Sequence, residues 1–458
     1  MQRLFILIFV LLLGSCQEIP EQKKSSAILI SDVSILDVST GEIMEHKSIE
    51  IDSGKIRRIT GILKDTTGFQ TVIDGKGKYV MPGLAEMHAH IPAPPISQEQ
   101  LEETLFLYLS NGITTIRGML GHPSHLELKK LVAKGKVLGP RVFTSSPSLN
   151  GNTVRTVEEA EAKVTEYQKD GYDFLKIHPG ILRPVFDQIV TTAKEVNIPF
   201  AGHVPVDVGI RHALKSGYAS IDHVDGYLEG LVPETAGVNP RENGFFGYDF
   251  TKLADTSLIP SLVSLSKENK VWIVPTQSLF ERWFAPVSAD QLLNEPEMIY
   301  MPVTTLTNWK IRKEQTMGKG TNFSKAQWER FNAIRLQLIK ALQDNGHGIL
   351  LGSDAPQLFN VPGFSIHHEI VGMINAGLTP FQIIQSGTLN PAIYFEQQEV
   401  FGQIKEGMVA DLLLLRENPM EDIKALKKLD GVMLGGKWID RKSIDKKLKV
   451  IASHAENQ

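Results

Sequence analysis

The order of apolar runs predicts an α/β chain, a (β/α)8 barrel of the TIM type carrying a small β-sandwich formed from both chain ends. Three observations carry this. Short apolar runs alternate with helix-period segments through the middle of the chain, the pattern of parallel strands joined by crossover helices. Histidines and one aspartate suited to holding a metal, together with one lysine, fall at the carboxyl ends of those runs, where such barrels place their chemistry. Both chain ends show short alternating runs punctuated by Gly and Asp, and neither end has enough strands to enclose a core alone.

The expected barrel strands are Leu84 to Met87, Thr114 to Arg117, Arg141 to Thr144, Phe174 to Ile177, Pro199 to Gly202, Ser220 to Asp222, Val271 to Val274 and Ile349 to Gly352. Helical patterns follow most of them. Pro184 to Val196 gathers Val185, Ile189, Val190 and Ala193 on one face, and Val208 to Lys215 follows the fifth strand. Residues 81–398 make up the expected barrel, and residues 27–80 and 399–445 the two parts of the sandwich, with a two-residue hairpin turn at Gly435-Gly436. Tyr227 to Asp249 and Ser278 to Gln343 are too long for plain connections, and the second carries Trp283, Trp309 and Trp328. Both follow carboxyl ends of strands, so both are expected to cover the site, with the lid insertion at about 278–343.

The 458 residues are 42% hydrophobic and 22% charged with a net charge of −4, a globular composition without the basic footprint of a nucleic-acid binder. Met1-Gln2-Arg3 and the apolar run Leu4 to Leu13 read as an export signal, too short for a comfortable membrane span. Leu13-Gly14-Ser15-Cys16 resembles the bacterial lipobox. Residues 1–16 are therefore read as a lipoprotein signal peptide, residues 17–26 as a tether, and the protein as membrane-anchored on the periplasmic or cell-surface side through lipid on Cys16. Cys16 is the only cysteine, so no internal disulfide forms.

The run Met81-Pro82-Gly83-Leu84-Ala85-Glu86-Met87-His88-Ala89-His90 is the most informative single segment. Side chains alternate along a strand, so His88 and His90 point the same way, as two ligands of one ion must. Lys176, His203, His223 and Asp354 follow in order, each at the end of its own expected strand. Imidazole and carboxylate donors without a thiolate suit zinc or a comparable divalent ion.

Taken in order, MPGLAEMHAH, NGITTIRGM, DFLKIH, PFAGHVP, SIDHVDG, ILLGSDAP and GQIKEGMVADLLLL resemble the amidohydrolase superfamily of metal-dependent hydrolases, from about Ile28 to about Arg441. With Lys176 the chain resembles the binuclear branch with a carboxylated lysine, which includes Xaa-Pro dipeptidase (prolidase) and imidazolonepropionase-related groups. The resemblance implies that His88, His90 and Asp354 hold the more buried of two divalent ions and His203 and His223 the second. Lys176, as a carbamate formed from the neutral amine and carbon dioxide, joins them. It also implies a hydroxide held between ions about 3.5 to 4 Å apart, with Asp354 taking its proton and passing it to the leaving amine.

The expected reaction is hydrolysis of an amide or peptide carbon–nitrogen bond in a small substrate, such as a dipeptide or N-acyl amino acid. Two other readings remain: an imidazolonepropionase-like cyclic-amide hydrolase or deaminase, and a non-enzymatic binding lipoprotein. A homo-oligomeric assembly is left open. Arg117 and His122 stand where a substrate carboxylate could be held, His178 and Tyr227 where substrate could be reached, and His367 and His368 where the lid could be contacted. The family's usual single glycine after the sixth-strand histidine is replaced here by His223-Val224-Asp225-Gly226.

Overall fold

The structure, a computed structural model, describes residues 27–318 and 321–457. The expected signal peptide, lipobox and tether lie outside the described residues. Among those described, no helix is long and apolar enough to cross a membrane.

The N-terminal end folds as β1 (Ile28–Leu36), β2 (Ile43–Asp52), β3 (Lys55–Gly61), β4 (Thr71–Asp74) and β5 (Tyr79–Pro82). Seven further strands follow: β6 (Leu84–Ala89), β7 (Ile113–Gly118), β8 (Arg141–Thr144), β9 (Leu175–Ile177), β10 (Phe200–Gly202), β11 (Ser220–Asp222) and β12 (Trp272–Val274). The chain closes with β13 (Leu412–Leu415), β14 (Leu429–Leu434) and β15 (Lys437–Asp440).

Strands from both chain ends share one eight-stranded sheet, ordered β15-β14-β13-β5-β1-β2-β3 with β4 also on β1. The ends meet where β13 pairs antiparallel with β5. The strands expected to form the sandwich are thus joined by hydrogen bonds into one continuous sheet. The β1–β2 register slips around Val33, and Asp32 takes a positive φ of 52°, the signature of a bulge. Beyond it β1 changes partner, from β4 at Ile28–Ser31 to β5 at Ser34–Ile35. The expected turn is present, with Gly435 and Gly436 both at positive φ between β14 and β15.

Strand β13 shows how this sheet is fixed to the rest of the molecule. Its four leucines are all buried, and alternation sends them to two cores. Leu412 and Leu414 pack with Ile30, Ile49 and Val80 in the core of this sheet, whereas Leu413 and Leu415 join the large central core. Each leucine buried this way contributes roughly 1.5–3 kcal/mol. The last helix, Arg441–Glu456, adds Ile444, Leu448 and Ile451 to the central core, so its lysine-rich sequence is a one-sided amphipathic helix rather than a solvated face throughout.

The central strands are parallel and lie in two ladders, β6-β7-β8 and β9-β10-β11-β12. Isolated parallel bridges link Ser145 to Phe174, Ile273 to Ile349, and Ala89 to Ala355. The expected eighth strand, Ile349 to Gly352, does not form as a regular strand. It approaches its neighbours through those bridges and through hydrogen bonds from Met87 N to Leu351 O and from Asp354 N to His88 O. The reason lies in close backbone approach. A Cβ on Gly352 would sit 2.8 Å from the His88 nitrogen, and Asp354 adopts a left-handed φ of 65°.

Candidate metal centre

The strand ends bring the six sequence-identified residues to one buried place. His88 and His90 leave β6 on the same side, and Asp354 meets both: its Oδ1 lies 2.6 Å from His90 Nε2 and 3.6 Å from His88 Nε2. These three form a compact group able to hold a cation. The His88 ring lies 4.6 Å from that of His223, which lies 4.6 Å from that of His203. Lys176, fully buried on β9, points its Nζ toward Asp222 Oδ2 at 3.8 Å.

The donor set fits a divalent metal. His88, His90 and Asp354 each offer one donor atom in a compact group, and Lys176 Nζ beside them is a buried atom without a hydrogen-bond partner, a costly arrangement for a site that holds nothing. Burial holds the imidazoles of His203 and His223 well below their usual range, so both are neutral, the form in which a histidine binds a metal. Burial opposes charge on Asp354, yet the neighbouring imidazoles of His88 and His90 outweigh it and keep the carboxyl below its usual range. Burial pushes the Lys176 ammonium down despite Asp222 and Asp354 nearby. An unpaired lysine inclined toward its neutral amine is the form that can add carbon dioxide.

Residues that sequence reasoning passed over organise the candidate ligands. Glu86 follows the same alternation as His88 and His90 and turns inward, where its carboxylate accepts from the His88 and Ser353 amides and the Ser353 hydroxyl. It ties β6 to the irregular eighth segment, and burial pushes its pKa up to about 8. Its position two residues before His88 was the available signal. Asp225 holds His203: Nδ1 donates to Asp225 Oδ2 at 2.9 Å, and the same oxygen accepts from Val204 N at 3.1 Å. The departure from the family pattern after His223 therefore has a structural use. His223 and Val224 are consecutive left-handed residues, at φ 66° and 55°. For a β-branched valine this is a real outlier, each such residue costing on the order of 1–3 kcal/mol.

Arg335 helps hold that strained turn in place. It comes from the Lys325–Asn345 helix, donates to His223 O at 2.7 Å and to Pro275 O at 3.0 Å, and lies 3.5 Å above the Phe280 ring. Thr276, also left-handed, sets its hydroxyl 2.8 Å from His223 Nδ1. The Ser278–Gln343 stretch thus touches the site directly. So does the Tyr227–Asp249 stretch, through Phe246, whose half-buried ring lies 5.8 Å from His203, 5.5 Å from His223 and 4.9 Å from Phe280.

Several expected substrate contacts are corrected. Arg117 has no exposed surface and spends its donors inside the protein, on Met87 O, Ser220 Oγ, the Tyr394 hydroxyl and Asp222 Oδ1. It cannot reach a substrate carboxylate. Breaking its buried pair with Asp222 would cost roughly 3–5 kcal/mol by stranding one charge. His122 caps the Pro123–Ala133 helix by accepting from Ser124 N. Tyr227 is a core residue bonded to Ser266. His178 does sit beside the site, its ring 4.9 Å from His203. His368 meets Glu297 of the 278–343 stretch at 2.5 Å, whereas His367 pairs with Asn111.

Comparison with known proteins agrees with this geometry. The model of the amidohydrolase family matches residues 79–439, and the chain belongs to that family. It is an enzyme acting on carbon–nitrogen bonds. It is similar to ochratoxinase of Aspergillus niger, 24% identical over 78% of this chain and 75% of that one. Adenine deaminase of Clostridium botulinum (strain 657 / Type Ba4) is 23% identical over 92% of this chain, which spans 59% of that deaminase. Among solved structures, a bottromycin amidohydrolase superposes with a TM-score of 0.73 at 21% identity, covering 94% of this chain and 91% of that one. A Xaa-Pro dipeptidase with methionine bound in its active site gives 0.64 at 20% identity, covering 91% of this chain and all of that one. At these identities the structures speak to fold alone.

Proposed function

We propose that this enzyme hydrolyses amide or peptide bonds in small substrates such as dipeptides or N-acyl amino acids, using two divalent ions, zinc by preference, and a carboxylated Lys176. The observation that carries the reading is Lys176 itself: a fully buried amine without a hydrogen-bond partner, its Nζ 3.8 Å from Asp222 Oδ2 beside the histidine cluster. A mononuclear deaminase would have no use for it. We read the two parallel ladders and their linking bridges as a closed (β/α)8 barrel, with the ligands at its carboxyl-end mouth.

His88, His90 and Asp354 would hold one ion, His203 and His223 the other, and the Lys176 carbamate would reach both. Bound there, the ions would activate water at neutral pH and polarise the substrate carbonyl. Asp354 then accepts the proton released as the carbonyl is attacked and returns it to the departing amine. Phe246, half-buried beside His203 and His223 and backed by the buried Phe280, offers the apolar face on which a substrate's apolar group would pack.

The test is turnover by zinc-loaded protein of a panel of dipeptides, N-acyl amino acids, adenine and a cyclic imidazolone amide. Hydrolysis confined to the first two classes is expected, and deamination of adenine alone would overturn the reading. Within the panel, Phe246→Ala should raise KM about tenfold for substrates with large apolar groups, the equivalent of roughly 1.4 kcal/mol of lost contact. KM for glycine-based substrates should stay unchanged.

We further propose export and lipid anchoring through Cys16, supported by the Leu13-Gly14-Ser15-Cys16 sequence. Cys16→Ala should abolish incorporation of labelled fatty acid and release the protein from the membrane fraction. Unaltered labelling would refute the anchor.

A further inference from the structure

Asp222-His223-Val224-Asp225 places one ligand between two buried carboxylates, and each carboxylate faces a different histidine. Asp225 Oδ2 accepts from His203 Nδ1 at 2.9 Å. Asp222 Oδ2 lies 3.4 Å from His88 Nδ1, just outside hydrogen-bonding contact, and neither atom has another hydrogen-bond partner. The other oxygen of Asp222 is fixed by Arg117 Nη2 at 2.8 Å. Lys176 Nζ approaches Asp222 Oδ2 only to 3.8 Å. On a regular strand, residues three apart face opposite ways. The left-handed pair His223 and Val224 turns the chain so that both carboxylates face inward.

We propose that Asp222 and Asp225 are positioning residues, one for each metal pocket, and that neither is itself a ligand. Asp222 orients His88 of the His88–His90–Asp354 group, and Asp225 orients His203 of the His203–His223 pair. The inference rests on the metal-dependent reading. A carboxylate accepting from Nδ1–H fixes the tautomer whose Nε2 carries the free lone pair, and it makes that nitrogen a better donor. His88 Nε2 already faces Asp354. One four-residue segment thus supplies a ligand and sets a second ligand in each pocket, which gives the strained turn a function.

The experiment is titration of the full, metal-free chain with zinc against a competing chelator. Wild-type protein should show two zinc sites. Asp225→Asn should weaken one of them 10- to 100-fold, the usual loss when an outer partner of a ligating histidine is removed, and leave the other unchanged. Asp222→Asn should weaken the other site. That single change strands the Arg117 charge, so Arg117→Gln with Asp222→Asn, which removes both charges, serves as the second variant. Nitrogen NMR of metal-free Asp225→Ala, which leaves no side-chain acceptor opposite Nδ1, should show the His203 ring losing its fixed Nδ1–H tautomer, a change that general loosening would not confine to one imidazole. Two zinc sites of wild-type affinity in both variants would overturn the proposal, as would equal weakening of both sites by Asp225→Asn. Absence of zinc from the wild-type protein would instead overturn the metal-dependent reading, and the proposal with it.

Discussion

Replacing Lys176 with alanine should remove metal and activity together, with turnover falling on the order of 10³-fold, about 4 kcal/mol of transition-state stabilisation. The size of the effect follows from where the amine stands. It is buried, lacks a hydrogen-bond partner, and lies within the ring of imidazoles and carboxylates. An ammonium left there would repel the cations that the proposed ligands His88, His90, His203 and His223 would attract, so on the proposed reading the lysine serves the site only once converted. Small carboxylates such as acetate or propionate at high concentration should restore part of both metal content and activity in Lys176→Ala by entering the vacated space. Lys176→Arg should not substitute, because a guanidinium stays charged and cannot take up carbon dioxide. Metal analysis alongside turnover checks this, and retention of full metal content by Lys176→Ala would refute it.

Asp354→Asn should bind the first ion with weakened but measurable affinity and lose turnover by 10²-fold or more, about 2.7 kcal/mol, the loss expected when a general acid–base group is removed. The side chain keeps its shape, so the contacts to His90 and His88 survive in outline. What disappears is the basic oxygen. Turnover measured at saturating zinc separates this from metal loss, and near-native turnover by a metal-replete Asp354→Asn would eliminate Asp354 as the proton carrier.

The sequence made the proposed ligand set legible because each candidate ligand ends an apolar run, and strand alternation makes inward direction readable from spacing alone. His88 and His90 at two apart and the separate strand ends of Lys176, His203 and His223 needed no tertiary information. The partners that orient them were harder to see. Arg335 lies 112 residues beyond His223 and acts through a backbone carbonyl, which leaves no pattern in the sequence. Arg117 read as a substrate clamp because it ends a strand beside the site, yet its planar fork is consumed by four acceptors from other segments. Asp225 appeared only as a departure from a motif; its use became visible once the left-handed His223-Val224 turn placed it against His203. The eighth strand shows the opposite error. Its apolar run predicts regular pairing, whereas Gly352 and the left-handed Asp354 give up regular pairing for close approach to β6.

The central claim is that Lys176 joins two metal ions as a carbamate. Electron density at its Nζ, in a zinc-loaded crystal grown with bicarbonate and with metal content measured on the same protein, tests it most directly. The account predicts a planar carboxylate extending from the nitrogen, with two zinc ions per chain. A bare amine in a fully metal-loaded, active enzyme would contradict it.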